Sequence, residues 1–489
     1  MSPAAEFSAY ILNILLGRPP TMSDPSPRPR VAVILAAGKG TRMKSSRPKV
    51  LHEAAGRPLL AWVIDAARAA GCHRILVVVG HGAEQVRQAI EGDDLGWVLQ
   101  AEQKGTGHAL AQAEGEIAGE ATVLVLSGDV PLVNPATLDH LARGAEGGWG
   151  AMAVAEMDEP GSLGRVLVDE SGVFRAIVEA RDATPEELAV RRINAGLYAL
   201  PAPDVFTYLR SLNTDNAQGE LYLTDAVTNA AKDGRPVRLV MLSDPDEALG
   251  VNDRVELAKV HRLLLDGHLQ TLMKAGVTVL EPARTVIEPG VCVGEDTVIH
   301  PGVSLLGHSS VGRDCVIHQG AWLRDTKIGD GVIIEPYSVL DGAEVGDGCR
   351  VGPFARLRPA SRLLRGARVG NFVEVKSSEI GAGAKVNHLS YVGDATVGDA
   401  ANVGAGVVTC NYDGVRKSPT EIGAGAFIGS DTLLVAPVKV GAGASTAAGS
   451  VITRNVPEGA LAVARVRQKN LEGRAGGLRR RRKEKEKEG

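Results

Sequence analysis

From Val31 to about Val251, short apolar runs rich in β-branched residues alternate with amphipathic stretches. VAVILAAG, RILVVVG and TVLVLSGD have the length of buried strands, whereas PLLAWVIDAARAA and AEQVRQAIEG place their apolar positions on one face of a helix. That alternation predicts an α/β domain with a Rossmann-like, mostly parallel sheet, in which ligands collect at the carboxyl ends of the strands. Over 253–275 the period changes: Leu257, Val260 and Leu264, then Leu265, Leu269 and Leu272, recur at steps of three and four. Asp253 stands where a helix start favours an acid and Gly276 follows as a stop, so the segment reads as a helix joining two domains. Beyond it, apolar residues recur every six positions, at Ile287, Val293, Ile299, Leu305, Val311, Ile317 and Leu323. The series slips once and resumes with Ile328, Ile334 and Leu340. Pairs such as Val311-Gly312, Val369-Gly370 and Val440-Gly441 punctuate it. A period of six fits neither helix nor hairpin; it predicts a solenoid of short strands, with one buried aliphatic per strand and small residues at the corners.

Composition agrees with this division. The 489 residues exceed one ordinary domain of about 150. Glycine numbers 59 and aromatics only 3%, which excludes an aromatic-centred core along the whole length and suits the repeat. No run approaches the ~20 apolar residues of a membrane span, so no membrane partner is expected. The cysteines, Cys72, Cys292, Cys315, Cys349 and Cys410, form no C-x-x-C pair, so neither a zinc site nor a redox motif is legible. Their sparse, odd number suits a reducing, cytoplasmic setting. The net charge of −4 is uneven: from Arg474 onward eight Lys/Arg face three Glu, so this tail carries +5 and the remainder −9. A body of that charge offers no footprint for nucleic acid, and the tail reads as a solvated, disordered end. At the other end, AYILNILLG (9–17) resembles a short signal core but has no basic residue before it and no small-residue cleavage site after it. Met22 opens a polar, Pro-rich leader and is expected to be the natural start.

Candidate chemistry gathers in two places. The first strand ends in Leu35-Ala36-Ala37-Gly38-Lys39-Gly40-Thr41-Arg42-Met43, followed by Pro48-Lys49. Glycines let backbone N–H groups approach phosphate oxygens, and Lys and Arg neutralise their charge. The segment is neither a Walker loop nor a dinucleotide fingerprint, since Met43 stands where a third glycine belongs. L-A-A-G-x-G-T-R-M followed by P-K resembles the signature of the sugar-1-phosphate nucleotidyltransferases. The resemblance implies that Leu35, Ala36, Ala37 and Gly38 hold the nucleotide and that Arg42 and Lys49 stabilise charge during transfer. It further implies that Gln100, Gly105 and Thr106 meet the uracil of UTP, and that Ser127 and Gly128 line the nucleotide. By the same resemblance Asp129 and Asn252 bind Mg²⁺, and Gly164, Glu179 and Asn194 touch the sugar. Ser127 departs from the family, which more often has an aromatic residue there.

The second place lies within the repeat. FARLRP (354–359), NFVEVK (371–376), NHLSY (387–391) and TCNYDG (409–414) are more polar than coil-building requires. His388 alone among the repeat's histidines has a carboxylate, a lysine and tyrosines in successive coils. Glu374 and Asn371 precede it by fourteen and seventeen residues, about one coil. The repeat resembles the hexapeptide, left-handed parallel β-helix of acyltransferases, with roughly nine coils over 285–455. From Val31 to Arg465 the chain is similar to the bifunctional N-acetylglucosamine-1-phosphate uridyltransferase/glucosamine-1-phosphate acetyltransferase family of bacterial cell-wall synthesis. The resemblance implies His388 as general base toward the amine of glucosamine 1-phosphate, oriented or assisted by Glu374. Arg358, Lys376, Tyr391 and Asn402 would hold this substrate. Ala405, Asn411, Tyr412, Ser430, Ala448 and Arg465 would hold acetyl-CoA, with Arg467 standing where the family has proline. It also implies a homotrimer through the β-helix, and a product, N-acetylglucosamine 1-phosphate, that the first site joins to UTP.

The expected organisation is a leader over 1–29, a uridylyltransferase domain over 30–251, a helical linker over 252–276, an acetyltransferase β-helix over 277–465 and a basic tail over 466–489. Two alternatives remain: another sugar-1-phosphate nucleotidyltransferase with a hexapeptide tail, such as an ADP-glucose or GDP-mannose pyrophosphorylase, or a non-catalytic pyrophosphorylase-like assembly subunit. His388 and its polar neighbours argue against the first. The retention of Arg42, Lys49 and Asp129 argues against the second.

Overall fold

The computed structural model describes residues 28–474. Most of the expected leader, with Met22, and the basic end from residue 475 lie outside them. The described residues form two compact units: 28–275 with 286–290, and 276–285 with 291–474.

The first unit is built on seven main strands: β1 (Arg30–Ala36), β2 (Arg74–Val79), β3 (Leu95–Leu99), β4 (Ala121–Ser127), β5 (Gly150–Glu156), β6 (Arg192–Ala202) and β7 (Val237–Met241). Their order is β7-β5-β6-β4-β1-β2-β3. The three apolar runs legible in the sequence are β1, β2 and β4, and they form the parallel centre of the sheet. Only β6 runs antiparallel to its neighbours β4 and β5. A hairpin of Arg165–Val168 and Phe174–Val178 joins β6 through the pair Ile193–Arg165. Aliphatic residues of β1, β2 and β4 are buried on both faces, as expected of strands covered by helices on each side.

The expected linker helix spans Arg254–Lys274, and Asp253 caps it by accepting hydrogen bonds from Val255 N and Glu256 N. It is not a bare arm. Val260, Leu264 and Leu265 pack with Met43, Ala54, Leu59, Trp62 and Val251 in a cluster of the first unit. Its apolar stripe is wide enough to need a partner surface, and that unit supplies one.

The second unit is a left-handed parallel β-helix, with parallel sheets of eleven, ten and nine short strands. Each aliphatic sits above its counterpart one coil earlier, as in Ile299–Ile317 and Leu305–Leu323, eighteen residues apart. The slip at Leu323–Ile328 is one dropped residue, so from Val311–Ile328 onward several coils take seventeen. After Thr409 a loop is inserted, and the offset from Val397 to Ile422 grows to 25. Among the described residues no helix is long and apolar enough to cross a membrane.

Candidate functional sites

In the first unit, the carboxyl ends of β1 and β4 lie side by side, with Leu35 opposite Ser127. They open onto a cleft of about 540 Å³. Leu35, Ala36, Ala37, Gly38, Lys49, Gln100, Gly105, Thr106, Ser127 and Asp129, all expected there, line it. Gly128 is buried behind the lining, its N–H donating to Leu35 O at 2.9 Å. Arg42 is exposed on the short turn Thr41–Met43 and is not part of the lining. Gly40 has φ +60°, and a Cβ there would come within 2.7 Å of Lys49 Cβ. The loop therefore lets the lysine stem pass only because residue 40 has no side chain.

Lys49 Nζ pairs with the Asp129 carboxylate and lies 3.2 Å from Asn252 Oδ1. The two expected metal ligands are 123 residues apart in sequence but adjacent in space, because Val251 N–H donates to Asp129 O at 2.9 Å. Two hard oxygen atoms thus converge on one cationic nitrogen. Such a pair fits Mg²⁺, which takes one or two protein oxygens and completes its shell with water and substrate phosphate.

Gly164, Glu179 and Asn194 also come together. Asn194 N donates to Gly164 O at 2.9 Å, and a Cβ on Gly164 would lie 3.5 Å from a Glu179 carboxylate oxygen. Asn194 Nδ2 donates to Tyr198 OH at 2.7 Å, and its Oδ1 accepts from Gly196 N at 3.0 Å. Thr224 Oγ1 donates to Glu179 Oε1 at 3.1 Å. Burial holds the Glu179 carboxyl above the usual range; Asp225 and Asp182 push the same way and the Thr224 hydrogen bond opposes them. Burial likewise pushes the Tyr198 phenol up. Gln103 and Glu220 line the cleft at the ends of β1 and β4 too. Gln103 lies three residues after Gln100 and its Nε2 donates to Gln100 O at 3.1 Å, so the segment itself points to it; no local signal marked Glu220, since nothing places residue 220 beside residue 35 before the chain folds.

In the β-helix, His388 Nδ1 lies 2.7 Å from Asn371 Oδ1, in a shallow cleft of about 580 Å³ that also includes Phe354 and Phe372. Glu374, the residue expected to orient the imidazole, is engaged elsewhere: its carboxylate accepts from Arg358 Nη1 at 3.0 Å, with Arg356 at 3.8 Å. The coil here takes seventeen residues, so position 371 stacks on 388, whereas 374 stacks on Tyr391 one face further round. A separation of fourteen reaches the wrong corner.

Lys376 lies 3.6 Å from Asp394 and beside Lys417 of the inserted loop. The shared hydrogen bond and charge of Lys376 lower the Lys417 pKa, and Arg358 adds to this. Asn411 Nδ2 donates to Asp394, tying the loop to the same corner. The seventeen-residue coil stacks Gly393 on Lys376, and Asp394 is the residue after it; no such count reaches Lys417, because the insertion breaks it. Arg358, Lys376 and Tyr391 are absent from the lining of the His388 cleft. Asn402 is half-buried one strand beyond, aligned with Lys385.

Ala405, Ser430 and Ala448 share one corner of successive coils: Asp431 N–H donates to Ala405 O and Gly449 N–H to Ser430 O, at 2.7 and 2.8 Å. The glycines before Ala405 and Ser430 keep that corner tight, for a Cβ on Gly404 would lie 2.7 Å from Ser430 N and one on Gly429 2.6 Å from Ala448 N. Tyr412 is exposed on the inserted loop, and Arg465 and Arg467 are exposed beyond the last strand, Leu461–Ala462.

Two family models match the chain: a MobA-like NTP transferase domain over 32–217 and the bacterial transferase hexapeptide (six repeats) over 325–359. Among curated proteins, the Bifunctional protein GlmU of Pelobacter propionicus is 47% identical over 446 residues, covering 90% of this chain and 97% of that protein. The protein of the same name from Alkalilimnicola ehrlichii is 49% identical over 441 residues, covering 90% and 95%. That of Sorangium cellulosum is 47% identical over 460 residues, covering 92% and 96%.

Proposed function

The chain belongs to the GlmU family of bifunctional proteins, and on that premise we propose that it makes UDP-N-acetylglucosamine in two steps, one in each unit. Its C-terminal β-helix, over 277–465, transfers acetyl from acetyl-CoA to glucosamine 1-phosphate. Its N-terminal domain, over 30–251, joins the resulting N-acetylglucosamine 1-phosphate to UTP and releases pyrophosphate. The observation that carries this reading is that one chain holds both the Lys49–Asp129–Asn252 cluster and the His388–Asn371 pair, in a sequence colinear with these relatives.

In the first reaction, an Asn371 oxygen that accepts from Nδ1–H leaves Nε2 of His388 unprotonated. That nitrogen takes a proton from the sugar amine as the amine attacks the thioester carbonyl; the C–N bond forms, the C–S bond breaks, and the proton passes from the imidazolium to the departing CoA sulfur. Arg358 and Lys376 attract the sugar phosphate, with Glu374 holding Arg358 in place and Tyr391 and Asn402 beside the sugar. Acetyl-CoA lies along the small-residue corner of Ala405, Ser430 and Ala448, with Asn411, Tyr412 and Arg465 at its ends. His388 and the Arg358–Lys376 group sit on different faces of one prism, which favours a homotrimer whose active sites are completed by a neighbouring copy.

In the second reaction, the sugar phosphate oxygen attacks the α-phosphorus of UTP and pyrophosphate leaves, with no covalent enzyme intermediate. Leu35 to Gly38 and Ser127–Gly128 cradle the nucleotide, Gln100, Gly105 and Thr106 meet the base, and Gly164, Glu179 and Asn194 meet the sugar. Lys49 and Arg42 place positive charge where negative charge builds. Asp129 and Asn252 would hold Mg²⁺, which supplies further charge neutralisation on the phosphates. UTP and acetyl-CoA as co-substrates fit a cytoplasmic enzyme.

The test is a coupled assay with glucosamine 1-phosphate, acetyl-CoA, UTP and Mg²⁺, read as UDP-N-acetylglucosamine. Omitting acetyl-CoA should stop the product unless N-acetylglucosamine 1-phosphate is supplied. His388→Ala should abolish acetyl transfer alone, and Lys49→Ala should depress uridylyl transfer alone. Loss of both activities in either folded variant would overturn the two-site assignment.

A further inference from the structure

We propose that His108 is a positioning residue for base recognition, holding the Gln100 carboxamide so that its oxygen faces the base and selects uracil over cytosine. This rests on the reading above that Gln100 meets the base.

Gln100 follows β3; its backbone N–H donates to Val79 O at 2.8 Å, and the residue is 3% exposed at the floor of the nucleotide cleft. Its Nε2 lies 3.1 Å from Gly105 O and 3.0 Å from His108 Nδ1. A carbonyl oxygen can only accept, so the amide nitrogen must occupy that position. Its two hydrogens are then spent on Gly105 and His108, and Oε1 is the polar atom left to meet a ligand. For His108 Nδ1 to accept, the ring must be neutral with its proton on Nε2. That nitrogen lies 3.2 Å from Nε2 of Gln112, one helical turn on, which also donates to His108 O at 3.3 Å. A half-turn about the last bond of this exposed side chain gives up that longer contact and brings its oxygen to accept the Nε2 proton, whereas Gln100 is buried against Gly105 O and keeps its orientation.

The ring is presented from a fixed turn. It stands on the helix Thr106–Ala111, where Gly107 N–H donates to Leu221 O at 2.8 Å and Thr106 Oγ1 accepts from Leu223 N at 3.1 Å. A Cβ on Gly107 would lie 3.0 Å from Leu221 O and 3.2 Å from the Tyr222 carbonyl carbon, so a side chain there would press on the backbone that anchors the turn.

The consequence is chemical. Uracil offers a ring N3–H that donates to a carboxamide oxygen, whereas cytosine offers N3 as an acceptor, which would face Oε1 with no hydrogen between them. To receive cytosine, Gln100 would have to turn its carboxamide over and set Oε1 against two acceptors, Gly105 O and His108 Nδ1. His108 supplies one of those two penalties, and a site built around a specific hydrogen bond rejects the analogue that cannot make it.

The experiment compares kcat/KM for UTP and CTP in the full-length enzyme with N-acetylglucosamine 1-phosphate and Mg²⁺. His108→Leu should lower the UTP-to-CTP ratio about tenfold, chiefly through a higher KM for UTP. His108→Asn, whose Oδ1 accepts from nearly the same position, should restore most of it. In a Gln100→Ala background, His108→Leu should change the ratio no further. A folded His108→Leu enzyme with an unchanged ratio overturns the proposal, as does an Asn variant no better than the Leu one. A Gln100→Ala enzyme that still discriminates overturns the base-reading role of Gln100 itself. Discrimination lost in Gln100→Ala but kept in His108→Leu overturns only the part assigned to His108.

Discussion

Nδ1 of His388 lies 2.7 Å from Oδ1 of Asn371, seventeen residues earlier and directly beneath it in the coil. The amide oxygen accepts the ring proton and so selects the tautomer with a free Nε2. Asn371→Ala should lower kcat for acetyl transfer roughly tenfold, the worth of one good hydrogen bond, and leave uridylyl transfer unchanged. Release of free CoA, followed with a thiol reagent, measures the first activity, and pyrophosphate release measures the second.

Gly40 tests how the nucleotide loop shapes the lysine. Its φ of +60° and the 2.7 Å approach to Lys49 Cβ both disfavour a side chain. Gly40→Ala should cost about 1–2 kcal/mol of local strain and displace Lys49 from Asp129 and Asn252. Uridylyl transfer should fall by at least tenfold while acetyl transfer stays within twofold of the parent. Equal rates from the two enzymes in a pyrophosphate-release assay would contradict this.

Glu179 links the proposed sugar contacts to stability. Its native pKa is raised above the unfolded value of 4.5, mainly by burial. The native state therefore holds the proton more tightly than the unfolded chain. The stability this contributes is complete below that value and is lost as pH rises through the raised one. Glu179→Gln should flatten the decline above about pH 4.5 and raise Tm at neutral pH, because a neutral amide has no charge to desolvate. The same change should raise KM for N-acetylglucosamine 1-phosphate. Thermal unfolding across pH 4–8, alongside substrate titration, measures both.

The thiols should separate by burial. Cys315 and Cys349 are buried within the solenoid, and desolvation pushes Cys349 up to about 11. Burial pushes Cys72 up to about 12. Cys292 is exposed. Brief treatment with iodoacetamide at pH 7.5 should label Cys292 well before Cys72, Cys315 and Cys349, as read by peptide mass spectrometry. Early labelling of Cys349 would show that its coil opens.

Much of the architecture is written locally. The strand that ends at Ala36, the helix after Asp253 and the six-residue repeat are all legible, because each rests on a short-range period. The parallel centre of the sheet follows from β-branched runs that need no long-range information to be strands. The individual side chains that line the first unit's cleft came from the family resemblance, and they meet there because strand ends and the loops after them stay together when the sheet forms.

Partnership between distant side chains was decided by the tertiary structure. Whether Asn371 or Glu374 meets His388 depends on a coil of seventeen residues rather than eighteen, and one dropped residue moves a side chain to another corner. Lys417 reaches Lys376 only because a loop is inserted after Thr409, which no repeat count anticipates. The helix from Arg254 to Lys274 displays the same periodicity whether bare or covered, and only its packing against Trp62 and Leu59 shows that it belongs to a core. Sequence by itself determined which elements form and which chemistry they carry. Register, insertion and packing, which sum small offsets over many residues, determined which of those groups touch.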